Sequence, residues 1–387
     1  MRKLFSLFLA FLMAFTCVFS HGFMVRAATE ISSPSAIVME ASTGQVIYEK
    51  NAAERRSPAS ITKIMTLLLI FEALSEGKIS FSDSVITSDY AASMGGSQVY
   101  LEPGEVQTVE TLIKCVTVAS ANDACVALAE FAAGSEGAFV DLMNQKAVSL
   151  GMVDTHFEDC CGLSDSDMHY TSAKDVAIMS RELITLYPEV FDFTGIWMED
   201  ITHVTSRGES VFTLNSTNKL LKSYPYTTGL KTGSTSKAKF CVSATARKDD
   251  IELIAVVMGC ENSADRFAEA AALLNYGYSV SSLYVDENQE LLGSVELTGA
   301  LVREADIAYS EEFRYLDTEN RDLTQIVKSI ELPEKVQAPV AEGQTAGYAV
   351  YSLNGQEIGR VEIVYTENID AASFRDYYQF AVRCFLL

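Results

Sequence analysis

The pattern of apolar and polar positions divides the chain into four parts, of which the first is a continuous apolar run. Leu4–Phe19 is almost entirely apolar, and the basic residues Arg2 and Lys3 precede it. Val25-Arg26-Ala27 then places small residues where a signal peptidase inspects the chain. We therefore predict that residues 1–27 are a cleaved secretory signal and that the mature protein is exported. The alternative is an uncleaved membrane helix, although the run is shorter than the ~20 residues of a membrane span.

In the second part, from residue 28 to residue 279, strand-like alternation at both ends encloses a long stretch with helical periodicity. Residues 35–50 alternate as a hairpin, and Phe240–Ala246 and Ile251–Gly259 are β-branched strands that Arg247–Asp250 joins. The segments with helical periodicity are Ser60–Glu76, Thr108–Gly134, Thr171–Leu186 and Arg266–Tyr278. This order predicts an α+β fold, with helices packed on a largely antiparallel sheet.

The third part consists of short alternating segments separated by turn residues. These segments are Val295–Leu297, Ile326-Val327, Tyr348–Leu353 and Val361–Tyr365. Asn354-Gly355, between the last two segments, is the strongest hairpin signal in the chain. We predict a small all-β domain, a β-sandwich, over residues 282–370.

The fourth part, residues 374–387, has the pattern of an amphipathic helix. Its apolar face comprises Phe374, Tyr377, Tyr378, Ala381, Val382 and Phe385, and its polar face comprises Arg375, Asp376, Gln379 and Arg383. One interpretation is a terminal helix docked on its own domain. The other is an anchor that lies in the membrane surface.

Composition and charge exclude several classes of protein. Of the 387 residues, 48% are hydrophobic and 21% are charged, which is typical of a folded globular chain. The net charge of -23 argues against a nucleic-acid binder, which needs a cationic surface. With four histidines, no HExxH, no CxxC and no glycine-rich nucleotide motif, we expect neither a metal nor a cofactor.

Seven cysteines follow the predicted cleavage site, an odd number for a closed disulfide framework. They are Cys115, Cys125, Cys160, Cys161, Cys241, Cys260 and Cys384. Because most lie in apolar runs, we expect buried thiols rather than bridges. The adjacent pair Cys160-Cys161 leaves a vicinal disulfide as an alternative.

Ser60-Ile61-Thr62-Lys63 is the first of three motifs that carry candidate chemistry. A spacing of three residues places Ser60 and Lys63 on one helix face. A lysine shielded from water has a lowered pKa, so its neutral amine can remove the serine proton. Alone the motif is weak, because an N-cap serine beside a solvated lysine has the same sequence.

The other two motifs are Ser120-Ala121-Asn122 and Lys231-Thr232-Gly233. The former offers a hydroxyl for proton relay and a carboxamide for a peptide bond. The latter offers a cation and a hydroxyl for a carboxylate. Its glycine leaves room for an extended substrate beside the strand that we expect to follow. Each motif also has a purely structural interpretation. The former could be a polar patch on a helix or loop, and the latter could be a turn that leads into a strand.

Together and in this order, the three motifs resemble those of the low-molecular-mass penicillin-binding proteins, the serine-type D-Ala-D-Ala carboxypeptidases. Further segments are similar to that family: Pro58–Thr66, Leu101–Gly104, Ala119–Ala124, His169–Asp175 and Gly229–Gly233. The resemblance covers residues 35–278, and the β domain, the signal and the terminal helix fit the same pattern. It implies a β-lactamase/transpeptidase-like domain followed by a small β domain.

The resemblance also implies roles for individual residues. Ser60 would attack the carbonyl between the two terminal D-alanines of a peptidoglycan stem pentapeptide, and Lys63 would take its proton. Ser120, with Lys231, would pass a proton to the departing D-alanine, and Asn122 would bind the substrate peptide bond. β-Lactams would acylate the same serine and leave slowly.

A second group of residues would bind the oxyanion and the substrate carboxylate. The backbone N–H groups of Ser60 and Ser234 would form the oxyanion hole. Lys231, Thr232 and Arg266 would hold the terminal carboxylate. No metal or cofactor enters this scheme. The remaining contact would be with the membrane surface, at the outer face of the cell membrane, through the helix at residues 374–387.

Three departures from the family pattern stand out, and two other functions remain open. Ala121 replaces a glycine, Ser234 a histidine and Asp159 an asparagine, and we expect the last change to weaken a structural loop. A serine β-lactamase is one alternative, but no ExxLN pattern lies between Asn122 and Lys231. A non-enzymatic wall-binding or scaffold protein with a relic site is the other.

Overall fold

A five-stranded antiparallel sheet organises the part of the protein that carries the three motifs. The computed structural model describes residues 30–385, so the predicted signal in residues 1–27 lies outside the described residues. The strands of this part are β1 (Ser35–Glu40), β2 (Val46–Lys50), β3 (Ser84–Ile86), β4 (Val106–Thr108), β5 (Met198–Thr205), β6 (Gly208–Asn215), β7 (Thr227–Thr235), β8 (Lys239–Lys248) and β9 (Ile251–Cys260). The sheet has the order β2-β1-β9-β8-β7, and β3–β4 and β5–β6 form two separate hairpin-like pairs.

Helices cover both faces of this sheet. They are α1 (Lys63–Ser75), α2 (Asp89–Ala92), α3 (Val109–Val118), α4 (Asn122–Ala133), α5 (Glu136–Ser149), α6 (Ala173–Leu186), α7 (Phe191–Thr194), α8 (Leu220–Ser223) and α9 (Ser263–Val280), with 3₁₀ turns at Ala59–Thr62 and Pro188–Val190. On β9, Ile254 and Val256 join the core beneath α1 and α6. Leu253 points the other way and meets Gly277 of α9. β9 is therefore buried along its whole length.

Two of the expected elements differ in the structure. The predicted helix Thr108–Gly134 is two helices, because Ser120 adopts a left-handed φ of 60° and breaks it. Lys231-Thr232-Gly233 lies inside the edge strand β7 rather than in a turn before a strand. The other predicted segments of this part are confirmed as β1–β2, α1, α6, β8–β9 and α9, with ends shifted by a few residues.

The chain from residue 282 onwards forms a second group of strands. They are β10 (Ser282–Asp286), β11 (Ser294–Thr298), β12 (Glu304–Tyr309), β13 (Phe313–Asp317), β14 (Val327–Glu331), β15 (Lys335–Gln337), β16 (Thr345–Leu353) and β17 (Gln356–Tyr365), with a 3₁₀ turn at Leu323–Gln325. Six form a sheet in the order β14-β16-β17-β12-β11-β15, and β10 pairs with β13. Phe313 of β13 stacks on Tyr351 of β16 with ring centroids 3.8 Å apart. Asn354 and Gly355 both have positive φ and close the β16–β17 hairpin, as predicted.

The last described element is the helix α10 (Phe374–Phe385). Its apolar side chains from Phe374 to Val382 are largely exposed: Phe374 is 87% exposed and Tyr378 is 62% exposed. Tyr377 donates a hydrogen bond to the Ala300 carbonyl over 3.0 Å. Across residues 30–385, no helix combines the length and the apolar character needed to cross a membrane.

The seven cysteines in the described part of the chain are all free thiols. Six are buried, as expected, whereas Cys384 on α10 is exposed. Cys160 and Cys161 are not joined in a vicinal disulfide, so that alternative is not realised in this structure.

Candidate active site

The first motif brings a serine hydroxyl and a lysine amine together at the start of α1. Ser60 lies in the 3₁₀ turn Ala59–Thr62 and is partly exposed, whereas Lys63 is completely buried. Lys63 Nζ lies 3.1 Å from Ser60 Oγ. The spacing of three residues therefore places both groups on one face, as the sequence predicts.

Two further oxygens fix the Lys63 amine. Nζ donates to Asn122 Oδ1 and to the Cys161 carbonyl, each over 2.6 Å. Among the described residues, the ion pairs do not include Lys63. The amine is thus oriented by neutral oxygen acceptors from three separate elements, which favours its use as a proton acceptor when it is neutral.

The second motif occupies the break between α3 and α4. The left-handed backbone of Ser120 is strained for a residue with a Cβ, and such strain is concentrated at functional sites. Ser120 is buried, and its Oγ accepts a hydrogen bond from Lys231 Nζ over 2.9 Å. Asn122 begins α4, and its Nδ2 donates to the Gly95 carbonyl over 2.7 Å. The amide therefore links Lys63 to the loop at residues 95–97.

The third motif forms the opposite wall of the site. Lys231 is buried in β7, and its Nζ also donates to the Thr232 carbonyl over 3.1 Å. Thr232 Oγ1 lies 2.6 Å from Thr217 Oγ1. Thr217 was not predicted from the sequence, because no local pattern distinguishes it from other threonines near a strand.

Gly233 has a different role from the one its sequence suggests. A Cβ built on Gly233 would lie 2.8 Å from the Pro58 carbonyl oxygen and 3.0 Å from the Ile61 nitrogen. The space is therefore filled by the turn that carries Ser60 rather than reserved for a substrate. The absence of a side chain lets β7 approach that turn, and it leaves Ser234 exposed beside it.

Arg266 supports β7 from α9. Its Nη1 donates to the Gly233 carbonyl over 3.0 Å and to the Cys241 carbonyl over 3.2 Å. The guanidinium is buried and lies over the Phe267 ring, 4.6 Å from the centroid. The structure therefore places Arg266 at the site, but its Nη1 group is already hydrogen-bonded to backbone carbonyls of the sheet.

Asp159 closes the loop that supplies the Cys161 carbonyl. Its carboxylate accepts hydrogen bonds from the backbone N–H groups of Cys161 (2.8 Å), Gly162 and Ser164 (2.6 Å). The Asp159 carboxylate therefore binds three backbone donors of this loop, and the expected weakening of the loop stays a prediction. Gly162 has a φ of 78°, and a Cβ there would overlap the Ala59 carbonyl.

Comparison with known proteins decides the family. Residues 22–262 match the family model described as D-alanyl-D-alanine carboxypeptidase, and residues 282–371 match the one described as penicillin-binding protein 5, C-terminal domain. This chain belongs to the D-alanyl-D-alanine carboxypeptidase family. The family and the enzyme class predicted from the three motifs are confirmed.

The similarity to individual relatives extends over most of this chain. It is 39% identical to the D-alanyl-D-alanine carboxypeptidase DacF of Bacillus subtilis, over 88% of this chain and 86% of the relative. It is 32% identical to DacA of Escherichia coli K12, over 91% of this chain and 87% of that relative. The solved structure of penicillin-binding protein 5 from Haemophilus influenzae has a TM-score of 0.74 at 27% identity, over 89% of this chain and 99% of that structure. This likeness confirms the predicted α+β part followed by a small all-β part.

The electrostatics of this carboxypeptidase site are dominated by cations. Burial, followed by the charges of Lys63 and Arg266, lowers the pKa of Lys231 well below its usual value. No Asp or Glu pairs with Lys231 among residues 30–385. An anionic substrate group entering the site would therefore meet basic side chains that no described carboxylate neutralises, and its charge would favour the protonated form of Lys231.

No group of three or more His, Cys, Asp and Glu side chains in the described residues is arranged to hold a metal ion. The site instead offers two hydroxyls, Ser60 and Ser120, each within hydrogen-bond distance of a buried lysine. This arrangement can supply a nucleophile, a base and a proton relay from side chains alone.

Proposed function

We propose that this protein removes the terminal D-alanine from peptidoglycan stem pentapeptides through an acyl-enzyme on Ser60. The observation that carries the proposal is the pairing of Ser60 with Lys63 at 3.1 Å and of Ser120 with Lys231 at 2.9 Å. A partly exposed serine beside a buried lysine, with a buried second serine–lysine pair at the same site, can supply the nucleophile, the base and the proton relay for cleaving an amide through an acyl-enzyme.

Acylation begins when the neutral Lys63 amine takes the proton of Ser60. The oxygen attacks the carbonyl between the two D-alanines, and the backbone N–H groups of Ser60 and Ser234 bind the oxyanion. The tetrahedral intermediate collapses, the C–N bond breaks, and Ser120, held by Lys231, relays to the departing amine the proton that Lys63 took from Ser60. Lys63 is then neutral again. Water then attacks the ester, with Lys63 as base, and releases Ser60.

Substrate binding uses the cationic wall on β7. Lys231 and Thr232 bind the terminal carboxylate, and Arg266 adds positive charge behind them while its Nη1 holds the Gly233 carbonyl. Asn122 orients Lys63 and lies where its amide meets the substrate peptide bond. β-Lactams mimic the substrate and acylate Ser60, and the slow hydrolysis of that ester makes them inhibitors.

The experiment that tests this proposal is D-alanine release from diacyl-L-Lys-D-Ala-D-Ala by the mature chain. We expect release by the wild type and none above background by Ser60→Ala. Equal release by both would show that the assigned nucleophile is wrong. Rapid turnover of a penicillin would favour the β-lactamase alternative, and peptide binding without release would favour the scaffold.

We further propose that the mature protein is exported and attached to the outer face of the cell membrane. In this assignment residues 1–27 are the signal, 28–279 the catalytic domain, 282–370 the β-sandwich and 374–387 the anchor. The exposure of the apolar side chains of α10 supports an interfacial anchor over a docked helix.

Deleting residues 374–387 should therefore move the mature protein from the membrane fraction to the soluble fraction. Phe374→Glu on the apolar face should weaken membrane binding, whereas Gln379→Glu, which adds the same charge on the polar face, should change it little. Equal fractionation of all three variants and the wild type would contradict an anchor.

A further inference from the structure

A buried histidine outside the three motifs contacts Thr62, one of the two residues between the serine and the lysine of the first motif. His169 is 1% exposed, and its Nε2 lies 2.9 Å from Thr62 Oγ1. Its Nδ1 accepts the backbone N–H of Glu158 over 3.1 Å. An amide nitrogen can only donate, so Nδ1 carries no proton and Nε2–H donates to Thr62. The geometry thus fixes one neutral tautomer.

The other end of this contact is the loop that orients Lys63. Glu158 precedes Asp159, whose carboxylate closes the loop around Cys161 and lies 4.0 Å from His169 Nδ1. The Cys161 carbonyl accepts a hydrogen bond from Lys63 Nζ. The rings of His169 and Phe157 also pack edge to face, with their centroids 5.9 Å apart. His169 therefore joins the turn that carries Ser60 to the loop that holds its base.

We propose that neutral His169 is a positioning residue for acylation. Its two hydrogen bonds, to Thr62 and to the Glu158 N–H, hold the Ser60–Lys63 turn in place against the loop that presents the Cys161 carbonyl. This inference rests on the proposed function, in which Lys63 activates Ser60. It assigns a specific task to a residue that makes no contact with the substrate.

Protonation of His169 would abolish the arrangement. A cationic ring carries a proton on Nδ1, which would face the N–H of Glu158, donor against donor. The charged groups around the ring are Asp159 and Glu158, which favour the cation, and His156 and Lys237, which disfavour it. Burial outweighs them, and the pKa of His169 lies below its usual value of about 6.5. Acylation should therefore be lost as the pH falls through this lowered pKa.

Two substitutions separate hydrogen bonding from titration. Glutamine at position 169 can donate to Thr62 and accept from Glu158 but does not titrate, so His169→Gln should retain at least about a third of the acylation rate at pH 7.5. His169→Leu removes both hydrogen bonds and should lower that rate by about 30-fold. Thr62→Val should lower the rate in the wild type and add little in the His169→Leu background.

The test is the second-order rate of labelling by a fluorescent penicillin, measured on the mature chain from pH 4.5 to 8, with thermal unfolding as the control for folding. We expect the rate of the wild type to fall more steeply in acid than that of His169→Gln. Identical acid limbs in those two proteins, or His169→Leu labelled as fast as the wild type, would overturn the positioning role alone. A wild type that is not labelled at any pH would count against the proposed function as well.

Discussion

Lys231 in the candidate active site and Lys328 in the second group of strands have pKa values displaced in opposite directions. Burial lowers the pKa of Lys231, and the nearest charges, Lys63 and Arg266, lower it further. Burial also opposes the charge of Lys328, but hydrogen bonds to Glu290, Tyr309 and Asp286 together raise its pKa. The two sites differ in their carboxylates. In the β part, Glu290 and Asp286 lie beside Lys328 and stabilise its charged form, whereas no described carboxylate pairs with Lys231 in the active site.

This contrast shows how one residue type serves two purposes in one chain. Lys328 Nζ lies 3.2 Å from Asp286 and 4.2 Å from the centroid of the Tyr309 ring, which makes it a structural cation. Lys63 and Lys231 contact hydroxyl, amide and carbonyl oxygens instead. A lysine without a carboxylate partner keeps its amine available for proton transfer or for an incoming anion.

The largest effect should come from Lys63→Arg. A guanidinium remains protonated at all relevant pH values and cannot act as the base. We expect the rate of penicillin labelling to fall by about 10²- to 10⁴-fold. Lys328→Arg, the matched change in the β part, should label at the wild-type rate. Substantial labelling of Lys63→Arg would show that another group removes the Ser60 proton.

A smaller effect should follow Gly233→Ala. The new methyl group would press on the Pro58 carbonyl and move the turn that carries Ser60, so we expect labelling to fall and the free energy of unfolding to drop by about 1–3 kcal/mol. Gly137 in α5 has nothing within 4 Å of a built Cβ. Gly137→Ala is therefore the control, and it should be neutral or stabilising by up to about 1 kcal/mol. Normal activity in Gly233→Ala would contradict the close approach of β7.

The smallest effects concern stability and compare the two lysines directly. Lys328→Met should lower the free energy of unfolding by about 1 kcal/mol, because two carboxylates lose their cation. Lys231→Met removes a buried amine that has no carboxylate partner within residues 30–385, so stability should stay unchanged or rise by up to about 2 kcal/mol while activity is lost. Chemical denaturation at pH 7 measures both.

The pH dependence of Lys231→Met sharpens this comparison. The pKa of Lys231 is lower in the folded protein than in the unfolded chain, so the fold favours the neutral amine. Relative to Lys231→Met, the wild type should gain stability as the pH rises from the folded pKa towards about 10.4. A parallel pH profile for the two proteins would mean that Lys231 is not perturbed.

The sequence predicts the chemistry of the site better than its architecture. Ser60, Lys63, Ser120 and Lys231 follow from short motifs, because helix spacing and residue type are local properties. The Cys161 carbonyl that orients Lys63 lies 98 residues away along the chain, and a backbone acceptor leaves no mark in the side-chain pattern. Only the folded chain places that carbonyl beside the amine.

The elements that the sequence failed to predict were also missed because they depend on tertiary contacts. An alanine-rich segment with helical periodicity gave no sign of the break at Ser120, since tertiary contacts with Lys231 stabilise its strained backbone. The hairpin β5–β6 was not predicted, because its strands are rich in polar residues and only Ile201, His203 and Leu214 are buried. Gly233 was predicted to leave room for an extended substrate, but the atoms that a Cβ at this position would meet belong to the Ser60 turn.

The most direct test of the central claim, that Ser60 is the acylated nucleophile, is intact-mass and peptide mass spectrometry of the mature chain after brief exposure to penicillin. We predict a single stable adduct on the peptide that contains Ser60, and none on Ser60→Ala. An adduct that persists in Ser60→Ala, or one that maps to another residue, would contradict the account.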